Sequence, residues 1–169
     1  MPVCAISSLV SELPRLAAER RAGKWKHVLY YWQCWQVSPQ MNRILCGLFL
    51  NSSGCDGVMP YVYQHGHGNM LTVFPSPDGP LPTLRWEGFR EGVNDLRMIE
   101  TYEALCAKLA TIDPAKAKAA RDKLAGWLSD VPNTHALAAD RFPNARLDEL
   151  RRRIAEEAAR LHVTLKDKR

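Results

Sequence analysis

The stretch HVLYYWQCW, residues 27–35, decides the fold class of this chain. Its aromatic and β-branched side chains occupy both alternating faces, whereas a strand at a protein surface alternates apolar with polar positions. Apolar runs of this kind are typical of parallel sheets, whose two faces are both covered by other layers. We therefore predict a buried strand of a parallel sheet near residues 27–35.

The residues that follow complete a β/α unit. Ser38-Pro39 is a pair that opens helices, an apolar stripe at helical spacing follows it, and the polar run NSSG (51–54) ends the helix. The next apolar run predicts a second buried strand near residues 57–63. Strand, helix and strand in this order imply parallel pairing through a right-handed crossover.

Helical patterns lie on both sides of this unit. Apolar residues recur at helical spacing from Ile6 to Ala17, ahead of a stop at Gly23. A long helix is predicted over residues 83–110, with Thr83 as its cap. We divide the chain into a segment of strands and helices, residues 1–111, and a helical extension, residues 112–169.

The connection over residues 64–82 is long and rich in Gly, His, Pro and Asn. It follows the carboxyl end of a parallel strand, where α/β folds place their ligand sites. Aromatic rings near strand ends offer apolar faces to a ligand, and phenol, indole and amide groups can hydrogen-bond to it, so we predict substrate-binding residues here. The alternatives are packing of the sheet wall and capping of the loop. The candidates are Tyr31, Trp32, Tyr61, Tyr63, Gln64 and His65.

Metal and cofactor chemistry are not expected. His65 and His67 lie on one side of an extended segment, as a metal site requires, but no third ligand lies nearby in the sequence. The five cysteines show no C-x-x-C spacing, which favours free, mostly buried thiols.

The formal net charge of +5 does not predict a nucleic-acid partner. The basic residues cluster near the two ends of the chain, the second cluster is interleaved with acids in helical sequence, and no nucleic-acid module accompanies them. No stretch approaches the roughly 18 apolar residues of a membrane span, and residues 1–10 lack the basic leader of an export signal. The cellular location is left open.

Several short pieces together resemble a known family over about half the chain. They are VLYYW (28–32), NRILCG (42–47), CDGV (55–58), YQH (63–65), FP (74–75) and, most specifically, PTLRWEGFREGVND (82–95). They resemble the carboxy-terminal domain of bacterial glycoside hydrolases related to family 123, which contains β-N-acetylgalactosaminidases. Asn94 stands where that family has an acid, a modest departure.

The resemblance implies an α/β fold, the carboxy-terminal part of a β/α (TIM-type) barrel with parallel strands, followed by a helical tail. A complete barrel needs at least about 200 residues, and this chain has 169. The implied activity is hydrolysis of carbohydrate, such as N-acetylhexosaminides. The expected partners are carbohydrate and either the missing barrel half or a second copy of the chain.

The catalytic residues of that family are not evident in this chain. In the family, a glutamate protonates the leaving oxygen and an adjacent aspartate on an earlier strand orients the acetamido group of the sugar. The adjacent pair here, Asp148-Glu149, lies in the first turn of the last helix, where acids suit the helix dipole. We therefore expect a contribution to the pocket wall. The alternative is a non-catalytic interaction module derived from a truncated barrel.

The motif at residues 82–95 also predicts a structural ion-pair network of Arg85, Glu87, Arg90 and Asp95 in the opening turns of the long helix. Glu87 and Arg90 are three residues apart and can pair. The expected role is to anchor the helix and its preceding loop, not catalysis.

Overall fold

The computed structural model describes residues 1–33, 37–61, 72–129, 131 and 142–167, apart from the side chains of residues 7, 8, 10 and 167. The described strands are β1 (Val3–Ala5), β2 (Leu29–Gln33), β3 (Gly57–Tyr61), β4 (Val73–Phe74) and β5 (Leu81–Pro82). The described helices are α1 (Ile6–Arg21), α2 (Pro39–Cys46), α3 (Leu48–Ser53), α4 (Leu84–Ala110), α5 (Pro114–Leu128) and α6 (Asn144–Asp167).

The fold is mixed α/β, built on a parallel sheet in the order β1-β2-β3. Leu29 of β2 is in register with Val3 of β1 and with Gly57 of β3, so β2 lies in the centre. The parallel strands predicted near residues 27–35 and 57–63 are confirmed as β2 and β3. Their predicted burial on both faces is wrong, because alternate residues of β2 are buried and the second half of β3 is exposed. The sequence reading did not predict β1. Strands β4 and β5 form a separate antiparallel pair.

Helices pack on one face of this sheet. The ring of Tyr30 meets Phe49 of α3 edge-on at 5.5 Å between centroids, and its hydroxyl donates to the carbonyl of Leu45 on α2 at 2.5 Å. The ring of Trp32 lies 5.7 Å from that of Phe89 on α4. Alternate residues of β2 therefore reach into the core between sheet and helices.

Two glycines let α2 cross α4 at close range. A Cβ atom added to Gly88 would lie 2.1 Å from the carbonyl oxygen of Pro39, and one added to Gly92 would lie 2.4 Å from that of Arg43. Gly47 meets the same crossing, since its added Cβ would lie 2.7 Å from the oxygen of Gly92. The single helix predicted after Ser38-Pro39 is instead divided at Gly47 into α2 and α3.

The predicted long helix is confirmed as α4, with the hydroxyl of Thr83 accepting from the backbone N–H of Trp86. Helices α5 and α6 pack against it. The hydroxyl of Tyr102 donates to the carbonyl of Ala120 at 2.9 Å, and Lys123 of α5 pairs with Glu157 of α6 at 2.9 Å. One hydrophobic core runs from the sheet through α4 to α6.

Candidate functional site

The carboxyl edge of the parallel sheet brings together the ends of its three strands. Because the strands are parallel, Ala5, Gln33 and Tyr61 end at the same edge. The register pairs Gln33 with Tyr61, and Tyr31 with Ala5 and Met59. Since side chains alternate along a strand, Tyr31, Gln33 and Tyr61 point to one face of the sheet.

That face, which we call the open face, is exposed. Tyr31 is 37% exposed, Met59 48% and Tyr61 44%, whereas Tyr30 and Trp32 on the opposite face are buried. The strand residues that share the open face by register are Val3, Ala5, Leu29, Tyr31, Gln33, Gly57, Met59 and Tyr61, and none of them is charged. The sheet therefore presents an uncharged surface with two tyrosines toward its carboxyl edge.

Trp32 belongs to the core. Its side chain is 3% exposed, it lies between the rings of Tyr30 and Phe89, and its indole N–H donates to Oδ1 of Asn42 at 2.9 Å. Asn42 is itself fully buried. A ring packed in this way has no face left for a sugar, and its placement fits the alternative interpretation in which Trp32 packs the sheet wall.

The predicted site residues that follow β3 lie outside the described residues. This applies to Tyr63, Gln64 and His65, and to His67, so their roles stay predictions. Within the described ranges, no group of three His, Cys, Asp or Glu side chains is arranged to hold a metal ion.

The four residues of the predicted ion-pair network are not all in one place. Glu87 and Arg90 pair at 2.5 Å on the surface of α4, and Arg85 lies half-buried in the first turn of that helix. Asp95 is 5% exposed and binds other partners. The three-residue spacing of Glu87 and Arg90 predicted their pairing correctly. The partners of Asp95 were not predicted, because they are distant in the sequence.

Asp95 stands between two arginines from different helices. Nε of Arg43 on α2 donates to Oδ2 of Asp95 at 2.7 Å, and Nε of Arg151 on α6 donates to Oδ1 at 2.5 Å. Arg43 also binds Asp148 at 2.6 Å, and Arg151 binds Glu91 at 2.5 Å. We call these five residues the arginine–carboxylate cluster. It joins α2, α4 and α6 through charge-assisted hydrogen bonds.

The carboxylates of the cluster stabilise the charged form of both arginines. Burial acts to lower the pKa of Arg43, but its bonds to Asp95 and Asp148 raise the pKa above the ordinary value. Burial likewise acts to lower the pKa of Arg151, and its hydrogen bonds to Asp95 and Glu91 raise that pKa above the ordinary value. A buried charge without a partner would be costly. Separating any of the three helices would leave an arginine or Asp95 with fewer partners, so the cluster stabilises their packing.

Asp148 and Glu149, the adjacent acids of the last helix, are both engaged with arginines. Asp148 binds Arg43, and hydrogen bonds from Arg152 and Arg153 lower the pKa of Glu149 to about 2. Glu149 therefore lacks the raised pKa that a general acid needs near neutral pH. Neither acid lies on a strand end.

Two exposed rings were not singled out from the sequence. Phe74 on β4 is 46% exposed, and Trp86 in the first turn of α4 is 38% exposed. Thr83 ties these segments together, because its hydroxyl and its backbone N–H both donate to the carbonyl of Thr72. A single tryptophan among charged residues forms no pattern that would indicate its exposure from the sequence.

Comparisons with models of protein families, with curated proteins and with solved structures found no significant match to this chain. No helix within the described ranges is long and apolar enough to cross a membrane.

Proposed function

We propose that this chain is the carboxy-terminal part of a β/α-barrel protein that acts on carbohydrate, and that it forms a wall of the sugar pocket. The open face supports this proposal, because the helices pack on the opposite face of the parallel strands and two tyrosines approach its carboxyl edge. In a β/α barrel the helices form the outer ring, the uncovered face of each strand lines the interior, and ligands bind at the carboxyl ends.

Tyr61 and Tyr31 are the proposed sugar contacts. A phenol ring offers an apolar face for stacking against the C–H side of a pyranose and a hydroxyl for bonding to the sugar. Tyr61 is the last residue of β3, so it lies nearest to the position that a ligand at the strand ends would occupy. Gln33, its neighbour in register, adds an amide.

The catalytic acid is proposed to come from another part of the barrel. The strands β1, β2 and β3 contain no acidic residue. Asp148 and Glu149 are held by arginines. Protonation of the leaving oxygen of a glycoside needs a carboxyl group held in its protonated form at the scissile bond.

Ligand-observed saturation-transfer NMR with N-acetylgalactosamine tests the proposal on the whole chain. We expect transfer to the sugar protons, lost in Tyr61→Ala and reduced in Tyr61→Phe, which keeps the ring and removes the hydroxyl. Leu81→Ala is the matched control, because Leu81 is 55% exposed and lies on the β4–β5 pair. Transfer that persists in Tyr61→Ala contradicts the assignment of the site.

A turnover assay tests the absence of catalysis separately. Aryl N-acetylgalactosaminide should not be hydrolysed by the isolated chain. Robust hydrolysis that a substitution in this chain abolishes would overturn the claim that the acid lies elsewhere.

The second candidate function is a non-catalytic interaction module. The uncharged open face favours it, because a face of this composition is typical of surfaces that another subunit covers. Size-exclusion chromatography with light scattering separates the two functions. A half-barrel with an uncovered sheet is expected to associate with itself, whereas a module whose open face binds a different protein is expected to run as a monomer when isolated.

A further inference from the structure

A groove of about 660 Å³ lies between the carboxy-terminal ends of α4 and α6. Leu105 and Ile112 from α4 and the residues after it, together with Leu165 from α6, give it an apolar lining. Ile112 is 45% exposed, so apolar surface at this groove remains in contact with water. The groove is far along the sequence from the residues of the sheet edge.

Among the described residues, the charged side chains that line this groove are basic. Lys108 of α4 and Lys166 of α6 both border it, with His162 beside them. Both lysines are exposed, and among the described residues neither forms an ion pair. The three lysines of α5 differ, since Lys116, Lys118 and Lys123 each pair with a carboxylate. The groove therefore combines an apolar floor with two exposed lysines that have no ion-pair partner among the described residues.

The size of the groove favours a small molecule over a protein. Its volume falls within the roughly 300–1,000 Å³ of ordinary small-molecule sites, which combine an apolar lining with a few polar groups. A stable protein interface needs about 20–30 residues on each side, many more than line this groove. A second copy of the chain, docked groove to groove, would place lysines against lysines.

We propose that this groove binds a single-chain amphiphile with an anionic head, such as a medium-chain fatty acid. The carboxylate lies between Lys108 and Lys166, and the alkyl chain lies along Leu105, Ile112 and Leu165. The two lysines attract an anionic head and repel a cationic one. Removal of the alkyl chain from water supplies most of the affinity. This binding is independent of the proposed sugar pocket.

Isothermal titration calorimetry with decanoate, below the concentration at which it forms micelles, tests the proposal on the whole chain. We expect saturable binding at one site and much weaker binding of decylammonium, which has the same chain and the opposite charge. Lys108→Glu with Lys166→Glu is expected to weaken decanoate binding about ten-fold or more. Lys26→Glu is the matched control, because Lys26 is exposed and lies near β2.

Two further variants keep the test decisive. Met59→Asp removes apolar character from the open face and should leave decanoate binding unchanged, which excludes adsorption there. If the double glutamate variant does not fold, as judged by circular dichroism, Lys108→Gln with Lys166→Gln replaces it. The proposal is overturned by absence of saturable binding, by equal affinity for decylammonium, by unchanged affinity in the lysine variants, or by an acidic helical peptide that binds where decanoate does not.

Discussion

Replacing Gly88 by alanine tests whether the α2–α4 crossing is as close as the structure has it. In an exposed helix the same change stabilises a protein by about 1 kcal/mol, because alanine favours the helix. At Gly88 the new Cβ atom would lie 2.1 Å from the carbonyl oxygen of Pro39, and the shortest such contacts in proteins are 3.0 Å. Backbone must therefore move by about 0.9 Å, the difference between these two distances.

The expected net effect of Gly88→Ala is a loss of about 2 kcal/mol of unfolding free energy. Overpacking of a filled interior costs about 1–3 kcal/mol, and the upper end applies because the opposing atom is backbone, which cannot rotate away. Subtracting the helix gain of about 1 kcal/mol leaves the net loss. For a domain of this size that corresponds to a fall of about 4–8 °C in Tm.

Urea denaturation, followed by far-UV circular dichroism, measures this difference. Gly126→Ala is the matched control, because Gly126 also lies inside a helix, α5, and an added Cβ there meets nothing within 4 Å. We expect the control to be more stable than the parent by up to about 1 kcal/mol. If Gly88→Ala is as stable as the parent, the two helices do not approach each other as described and the reasoning fails.

Two other substitutions probe the charges of the helical half. Asp95→Asn should lower the free energy of unfolding, measured by urea denaturation, by about 3 kcal/mol, because Arg43 would stay buried with one charged partner fewer. The control Asp122→Asn breaks an exposed pair with Lys118 and should lower it by under about 1 kcal/mol. Equal losses in the two variants would refute this prediction. The hydrogen bond from Lys123 lowers the pKa of Glu157 from its ordinary value of 4.5. Because the folded-state pKa is the lower one, the stabilisation by Glu157 is present above pH 4.5 and lost as the pH falls through the lowered value. Glu157→Gln should therefore be less stable than the parent at pH 7, and the difference should shrink as the pH falls below 4.5; a difference independent of pH would contradict this.

The sheet was only partly predictable from the sequence. Strands β2 and β3 stand out because their apolar runs are bounded by polar residues and glycine. Strand β1 has three residues and continues directly into α1, so its apolar side chains merge with the helical pattern that begins at Ile6. A strand this short is defined by its pairing with β2, which a local pattern does not contain.

The site was less predictable than the fold, because its contacts are long-range. Nothing near Asp95 in the sequence indicates Arg43 or Arg151, which lie 52 and 56 residues away. Trp32 and Tyr31 are neighbours with similar chemistry, yet one packs in the core and the other is exposed on the open face. The helices cover the face of β2 that carries Trp32 and leave the face that carries Tyr31 exposed. Both faces are apolar in the sequence, so the sequence does not show which face is covered.

The motif at residues 82–95 has a physical role that limits what a resemblance based on it can imply. Gly88, Gly92 and Asp95 lie three to four residues apart, so they share one side of α4. On that side the two glycines admit the backbone of α2, and Asp95 binds arginines from α2 and α6. Each of these requirements concerns the docking of helices, and none involves a substrate. A protein that shares the motif is therefore expected to share this helix packing, and the motif by itself does not indicate a substrate.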